Sequence, residues 1–369
     1  MRSVASSAPG KLVLLGEYAV LFGHPAVVLA VDRRARVDLR ATESGEWSVT
    51  APGFEESRSE FTLDDTRGFR WREPDSGAAG RLVLVEKLIG SLMAARLLDS
   101  EKLSPAFVSL DTREFFQPTA SAVAKLGLGS SAALTVALTE ALRCWSHGGE
   151  KQPIVDLAQL LDLHRTFQGG RGSGIDLAAS VTGGVVEYEL TDDGRDPSAT
   201  SLELPENLHL VFIWTGRSAS TGDFLARLDE GMSNDGGEIV AVLNELGSIS
   251  AAGIADLREG RISALLDDVS DFGRALEQLG EAAGIPILSD EHLALRRIAE
   301  NIGVSYKPSG AGGGDVGIAF TDDPDLAKAF AAKAIEAGFP PLDLKVDPKG
   351  VQSKFSILNS QFSIPSQLE

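Results

Sequence analysis

The stretch Lys125–Glu140, KLGLGSSAALTVALTE, joins a tight glycine-serine turn directly to a long apolar helix, and that junction decides what kind of fold the chain takes. Gly127 and Gly129 carry no side chain, so the backbone can take left-handed angles and lie against a ligand. Ser130 and Ser131 are favoured N-cap residues, and Ala132, Ala133, Leu134, Val136, Ala137, Leu138 and Leu142 predict a largely buried helix. The first turn of such a helix leaves orphan N–H donors and a partial positive charge, a ready site for phosphate. Two hydroxyls at the same turn can supply hard oxygen ligands to Mg²⁺, the companion of a nucleoside triphosphate. A turn that merely caps a core helix is the competing reading.

Gly127, Gly129 and Ala132 also satisfy the dinucleotide fingerprint G-x-G-x-x-[GA]. That motif needs a strand before it and an acidic residue about 20 positions on. The preceding SAVAK is weak as a buried strand, and Glu140 comes too early and inside the helix.

The 369 residues suffice for two domains, which we place at 1–190 and 191–369, and 43% hydrophobic content fits a soluble globular protein. A net charge of -19 argues against nucleic-acid or anionic-membrane partners, which need a basic surface. Cys144 is the only cysteine, so no intrachain disulfide forms and the cytoplasm is the expected compartment. No apolar leader and no stretch of membrane-spanning length is expected. Loops are expected near 44–60, 72–80, 191–207 and 231–238.

Toward the N-terminus, KLVLL, AVVLAV and the alternating ARVDLRA read as strands broken by turns at Gly16 and at 23–25. Lys11 sits at a strand start where an ammonium can reach a phosphate, or is an ordinary edge-strand lysine. Glu17 and Tyr18 follow a glycine and can face the same cleft. LVLVEKLIGSLMAARLL (82–98) has helical spacing and KLSPAFVSLDT reads as a strand. Beyond the central turn, IVDLAQLLDLHRTFQ is an amphipathic helix leading to the glycines 169, 170, 172 and 174, then to Asp176 at the start of a short helix. Asp176 is either an N-cap or a carboxylate that orients a nucleophile or neutralises a lysine.

LHLVFIWTGRSASTGDFLARL gives a strand, a polar cluster of Ser218, Ser220 and Thr221, and a helix. Helical patterns fill most of 237–301. A last glycine loop, KPSGAGGGDVGIAF, brings Lys307, Gly310, Gly312, Gly313, Gly314 and Asp315 before an apolar strand, without P-loop spacing. A helix near 324–338 and the strand-like LDLKV and KFSIL close the chain. A serine-hydrolase elbow is missing, and the lone cysteine and scattered histidines give no zinc site. Phosphate is what three hydroxyl-bearing glycine turns share.

These turns resemble a known superfamily, the GHMP kinases, named for galactokinase, homoserine kinase, mevalonate kinase and phosphomevalonate kinase. PGKLVLLGEYAVLFGHPA (9–26) resembles its first motif, KLGLGSSAAL (125–134) its second and KPSGAGGGDVGIAF (307–320) its third. Within it, the segment from His164 through GSGIDLAAS, WTGRSAST and GAGGGD are most similar to phosphomevalonate kinases. The resemblance implies an α+β fold of two domains, the N-terminal one, ATP-binding, like ribosomal protein S5 domain 2 and the C-terminal one ferredoxin-like, with the active site between them. It implies ATP-dependent phosphorylation of 5-phosphomevalonate to the diphosphate in the mevalonate route to isoprenoids.

Carried over by position, Gly127, Leu128, Gly129, Ser130, Ser131 and Ala132 would cradle the ATP phosphates, with Ser131 on Mg²⁺. Lys11, Asp176 and Lys125 would carry catalysis. Lys11, Tyr18, Ser173, Gly174, Asp176, Ser218, Ser220, Thr221, Gly310, Ala311 and Gly312 would surround the acceptor. Mevalonate kinases place a glutamate upstream of the position of Asp176 as a metal ligand, and HRTFQGGRGSG here has no carboxylate. That leaves the second metal ligand unidentified and weakens the main alternative, mevalonate kinase or another small-alcohol kinase. A non-catalytic ligand sensor is opposed by the intact lysine, aspartate and serine positions. An acceptor that is itself a phosphate has a second pKa near 6, so the attacking oxygen is largely deprotonated at neutral pH and repulsion becomes the obstacle. Cations among Lys11, Lys125, Arg171, Lys307 and Mg²⁺ are the remedy. A monomer or a homodimer is expected.

Overall fold

The run AVVLAV at 26–31 is apolar at every position, and in the computed structural model every one of those side chains is buried, as a strand covered on both faces requires. Residues 2–52, 55–64, 68–98, 102–118, 123–150, 154–167, 172–191, 196–219 and 221–357 are described. Strands β1 (Arg2–Leu15) and β2 (Ala26–Ala41) pair antiparallel at the centre. Next in the chain are β3 (Trp47–Ala51), β4 (Glu55–Asp64), β5 (Gly68–Trp71), helices α1 (Gly77–Arg81) and α2 (Val83–Ala94), and β6 (Ala106–Asp111). A separate ribbon of β7 (Phe116–Pro118) and β8 (Val123–Lys125) leads into α3 (Ser130–Ser146). Helices α4 (Leu157–Phe167) and α5 (Ile175–Thr182) then precede β9 (Val185–Leu190) and β10 (Pro197–Leu202).

The large sheet runs β10-β9-β2-β6-β3-β4-β5, with β1 on β2. Alternation along β1 and β2 divides their side chains between two cores. Val13, Val28 and Ala30 join Val136, Ala137 and Leu177 of α3 and α5, whereas Leu12, Leu14, Val27 and Leu29 join a core built with C-terminal helices. The strand before the central turn is a short, largely exposed ribbon strand rather than a buried one, so the dinucleotide architecture is absent.

The C-terminal part holds β11 (His209–Trp214), α6 (Thr221–Asp235), α7 (Gly237–Glu259), α8 (Ile262–Ala283) and α9 (Asp290–Glu300). It continues with β12 (Ser305–Pro308), β13 (Val316–Thr321) and α10 (Pro324–Glu336). The antiparallel order β11-β13-β12, with a single bridge from Ile213 to Pro341 outside β11, follows a βαββαβ path whose first connection is expanded to four helices. Phe272 and Leu276 of α8 cover one face of this sheet, and Leu295 of α9 with Phe330 of α10 covers the other. The last strand, β14 (Gln352–Ile357), returns to pair with β1. Strands on both sides of position 190 thus share the large sheet, and we propose that the N-terminal unit extends through Leu202 and takes in β14.

Four expectations change. The segment 44–60 holds β3 and part of β4 rather than a loop, and 191–207 holds β10. Inward-facing Trp47, Val49 and Phe61 outweigh the polar residues between them. Residues 231–238 lie mostly in α6 and α7. Helix α7 is also long and apolar enough to span a membrane by length and composition, contrary to the sequence reading. Its Ile239, Val242, Leu243, Leu246, Ile254 and Leu257 are buried in the core shared with α8.

On α8, burial and the neighbouring carboxylate of Asp256 push Asp268 up to about 6. The folded state therefore binds more protons than the unfolded chain between about pH 4 and 6, and its stability falls as pH rises through that window. Asp268→Asn, whose amide can donate to Asp256 at every pH, is expected to raise Tm at about pH 7.5 and to lose that advantage near pH 4. Equal Tm changes at both ends of a thermal-melt pH series would contradict this.

Candidate active site

Between the two parts lies a cavity of about 890 Å³ lined by all three glycine turns. The central turn is shaped by what it touches. Gly127 has φ 77, and a Cβ there would sit 2.5 Å from the Oδ2 of Asp315. Gly129, also at φ 77, is itself the N-cap of α3, and a Cβ on it would lie 3.1 Å from Lys11 Cγ. Ser130 and Ser131 therefore do not cap the helix, as glycine takes the left-handed position and no side chain bonds the helix N-terminus. Ser131 lines the cavity, whereas Ser130 and Ala132 are buried and the Leu128 side chain is fully buried in the core. The Leu128 carbonyl accepts the Lys11 backbone N–H at 2.8 Å, which fixes the turn to β1.

Lys11 reaches the cavity from β1, its Nζ 3.7 Å from the Cβ position of Gly310 in the third turn. Asp176 lines the cavity from the first turn of α5, opposite Gly129. The N-cap of α5 is Gly174 at φ 81, so Asp176 is not the cap, and its Oδ1 accepts only the N–H of Leu177, at 3.0 Å, among the hydrogen bonds of the described residues. Gly174 packs on Leu161, while Ser173 lines the cavity and its carbonyl accepts the Tyr188 hydroxyl. His164, buried on α4, has its imidazole pulled below the usual range by burial, against the opposing pull of Asp176.

Lys125 lines the same cavity at the end of β8. Ser218 is exposed and donates to the Lys125 carbonyl at 2.7 Å, joining the two domains rather than facing the cavity. Thr221 begins α6; Ser220 and Arg171 lie outside the described residues. Tyr18, at φ 61, donates its hydroxyl to the Ala311 carbonyl at 2.6 Å, and burial pushes its phenol up. Gly310 and Ala311 line the cavity, but Gly312 packs on Ile287, 2.7 Å from Cβ position to Cγ2.

Lys307 is fully buried in an ion pair with Glu17 and stacks 5.6 Å from the Phe272 ring, so it is not among the lining cations. Burial raises the Glu17 carboxyl and lowers the Lys307 ammonium, each against the pull of its partner. Glu17 also accepts the Gly310 N–H at 3.3 Å, so the pair ties the first turn to the third. The sequence reading assigned no site role to Asp315, whose carboxylate faces the cavity with Lys11 and Lys125 as charged neighbours. Its only sequence signal was a charge closing a run of three glycines.

Mg²⁺ arriving with a triphosphate brings phosphate oxygens as ligands and needs few from the protein. No group of three or more His, Cys, Asp or Glu that could hold a metal occurs among the described residues. The Ser131 hydroxyl and the nearby carboxylates fit that modest demand.

Residues 118–184 match the model of the GHMP kinases N terminal domain, and 256–339 that of the GHMP kinases C terminal domain. A phosphomevalonate kinase of Streptomyces sp. is 29% identical over 87% of this chain and 90% of its own length. A mevalonate kinase of Thermococcus sibiricus is 28% identical over 95% and 98%. In fold, the chain superposes on the Streptococcus pneumoniae phosphomevalonate kinase in complex with phosphomevalonate and AMPPNP with a TM-score of 0.72, at 19% identity and 93% and 99% coverage.

Proposed function

Since this chain belongs to the GHMP kinase superfamily, we propose that it transfers the γ-phosphoryl group of ATP to the phosphate of 5-phosphomevalonate, giving the diphosphate and ADP. The observation that carries the reading is the meeting of two lysines, Lys11 and Lys125, with the open glycine turn in one cavity. An acceptor that is itself a dianion needs that local positive charge in a protein of net charge -19. The 29% identity to a phosphomevalonate kinase supports it, as does the lack of a carboxylate in HRTFQGGRGSG. Mevalonate kinase is the second reading, favoured by the 28% identity across 95% of the chain to the Thermococcus enzyme.

The acceptor oxygen is already largely ionised at neutral pH, so the residues have little proton to remove. Lys11 and Lys125 offset the repulsion between the two anions, and the bare N–H groups of the turn orient the ATP phosphates. Asp176, which shares the Gly129 side of the cavity with Lys11, offers the ammonium a carboxylate that orients it. Mg²⁺, held by ATP with the Ser131 hydroxyl, would neutralise charge on the β- and γ-phosphates.

ADP release measured with Mg-ATP and each acceptor separately tests the assignment. We expect kcat/KM for 5-phosphomevalonate to exceed that for mevalonate by about 100-fold or more, or about 2.7 kcal/mol, because a site built for a dianion leaves its charges unpaired around an alcohol. Equal or reversed constants would overturn it. Ser131→Ala should lower kcat about tenfold with Tm unchanged. Unchanged kinetics would show that this hydroxyl has no part in the reaction.

A further inference from the structure

Asp315 closes the third glycine turn at the entrance to β13 with φ 58, a conformation rare outside glycine, asparagine and aspartate. Its backbone is pinned on every side. The N–H donates to the Arg217 carbonyl at 2.7 Å, and the carbonyl accepts from Thr215 N at 2.9 Å and Thr215 Oγ1 at 3.0 Å. One residue earlier, the Gly314 carbonyl is 2.8 Å from Nε2 of the fully buried His292. A carbonyl can only accept, so Nε2 carries the proton and Nδ1 accepts from the Tyr306 hydroxyl at 2.8 Å. Burial, which pulls His292 down to about 4, keeps that ring neutral. Backbone strain held this firmly is characteristic of functional positions.

None of those bonds uses the carboxylate. Its Oδ1 accepts from Ala219 N at 3.2 Å, its Oδ2 packs against Gly127, and its charged neighbours are Lys11 and Lys125. Burial raises this carboxyl above its usual range, against the pull of the Ala219 N–H and of both lysines. The carboxyl of the C-terminal domain thus faces two lysines of the N-terminal domain across a cavity read as an anion site. There it opposes nucleotide binding, so what it offers is order in the lysines.

We infer that Asp315 is a positioning residue that holds Lys11 and Lys125 from across the domain seam, so that both meet the transferring phosphoryl group already oriented. The inference rests on the phosphoryl-transfer reading but not on the identity of the acceptor. Its signature is a split: losing the charge relieves repulsion toward the nucleotide yet leaves the lysines unheld when charge develops.

Asp315→Asn tests it, since asparagine accepts left-handed angles and keeps an oxygen for Ala219 N–H. With the acceptor the wild type prefers, kcat should fall about tenfold or more. The Kd for Mg·AMPPNP, read by calorimetry without acceptor, should be unchanged or tighter. A kcat within about twofold, or parallel loss of binding and rate, overturns the inference. In a cycle with Lys125→Met, the double variant should be no slower than about the slower single one, whereas multiplied losses place Asp315's effect outside the lysine and overturn it. Asp315→Gly, unstrained at this φ, serves as a second variant; if neither folds, the carboxylate is a fold determinant and the inference fails. A wild type that does not bind Mg·AMPPNP defeats the phosphotransfer reading and the inference together, while a binding wild type with an indifferent Asp315→Asn defeats only the inference.

Discussion

Lys11→Ala should lower kcat/KM by about 10² or more, with Tm little changed. The β1 backbone keeps its bond to the Leu128 carbonyl whatever the side chain, so the turn stays anchored. What is lost is a preorganised ammonium between Gly129, Asp176 and Gly310, and removing a contact of that kind typically costs about 3 kcal/mol of transition-state stabilisation. Lys11→Arg should not restore the rate, because the wider planar guanidinium must pass Gly129, whose Cβ position lies 3.1 Å from Lys11 Cγ. Steady-state kinetics with circular-dichroism melts on both variants provide the check, and retention of more than about a third of wild-type kcat/KM by Lys11→Ala would contradict the role given to it.

Gly127→Ala should be nearly as damaging for a different reason. Alanine at φ 77 costs about 1–2 kcal/mol in backbone strain, and its methyl must displace the Asp315 carboxylate 2.5 Å away. A shift of about 1 Å at this turn is enough for roughly 10² in rate. Gly45→Ala separates the two effects, because Gly45 has φ 67 with nothing within 4 Å of its Cβ position. That control should lose stability and keep its kcat/KM, whereas Gly127→Ala should lose both. Matching kinetics in the two variants would mean that the closeness of Gly127 to Asp315 is without consequence.

The parts legible in the sequence were those whose signal is local. The run at 26–31 is apolar at every position because β2 is covered on both faces, and the glycine-serine turn advertises both its left-handed angles and its helix. Edge elements were harder. In β3 the apolar side chains that join the core are Trp47, Val49 and Ala51, too few to show an alternation among polar neighbours, and β14 is recognisable as part of the large sheet only once it reaches β1. The cap residues were misplaced by one or two positions for one reason: serine and aspartate are good caps, but Gly129 and Gly174 occupy the left-handed N-cap positions themselves. Lys307 and Asp315 exchanged parts because burial is a tertiary property. The lysine beside the glycine run turns inward to Glu17, and the aspartate at its end turns to the cavity.

The central claim is the choice of acceptor, and a single competition decides it. Purified protein, Mg-ATP and equal concentrations of mevalonate and 5-phosphomevalonate are followed by ³¹P NMR, where the diphosphate ester is resolved from the 5-phosphomevalonate monoester, the species that mevalonate phosphorylation would also produce. The account predicts growth of the diphosphate signal matched by an equal loss of the 5-phosphomevalonate monoester, so that the sum of the two esters stays constant and mevalonate is not consumed. Early growth of the monoester signal, with mevalonate consumed first, would contradict it.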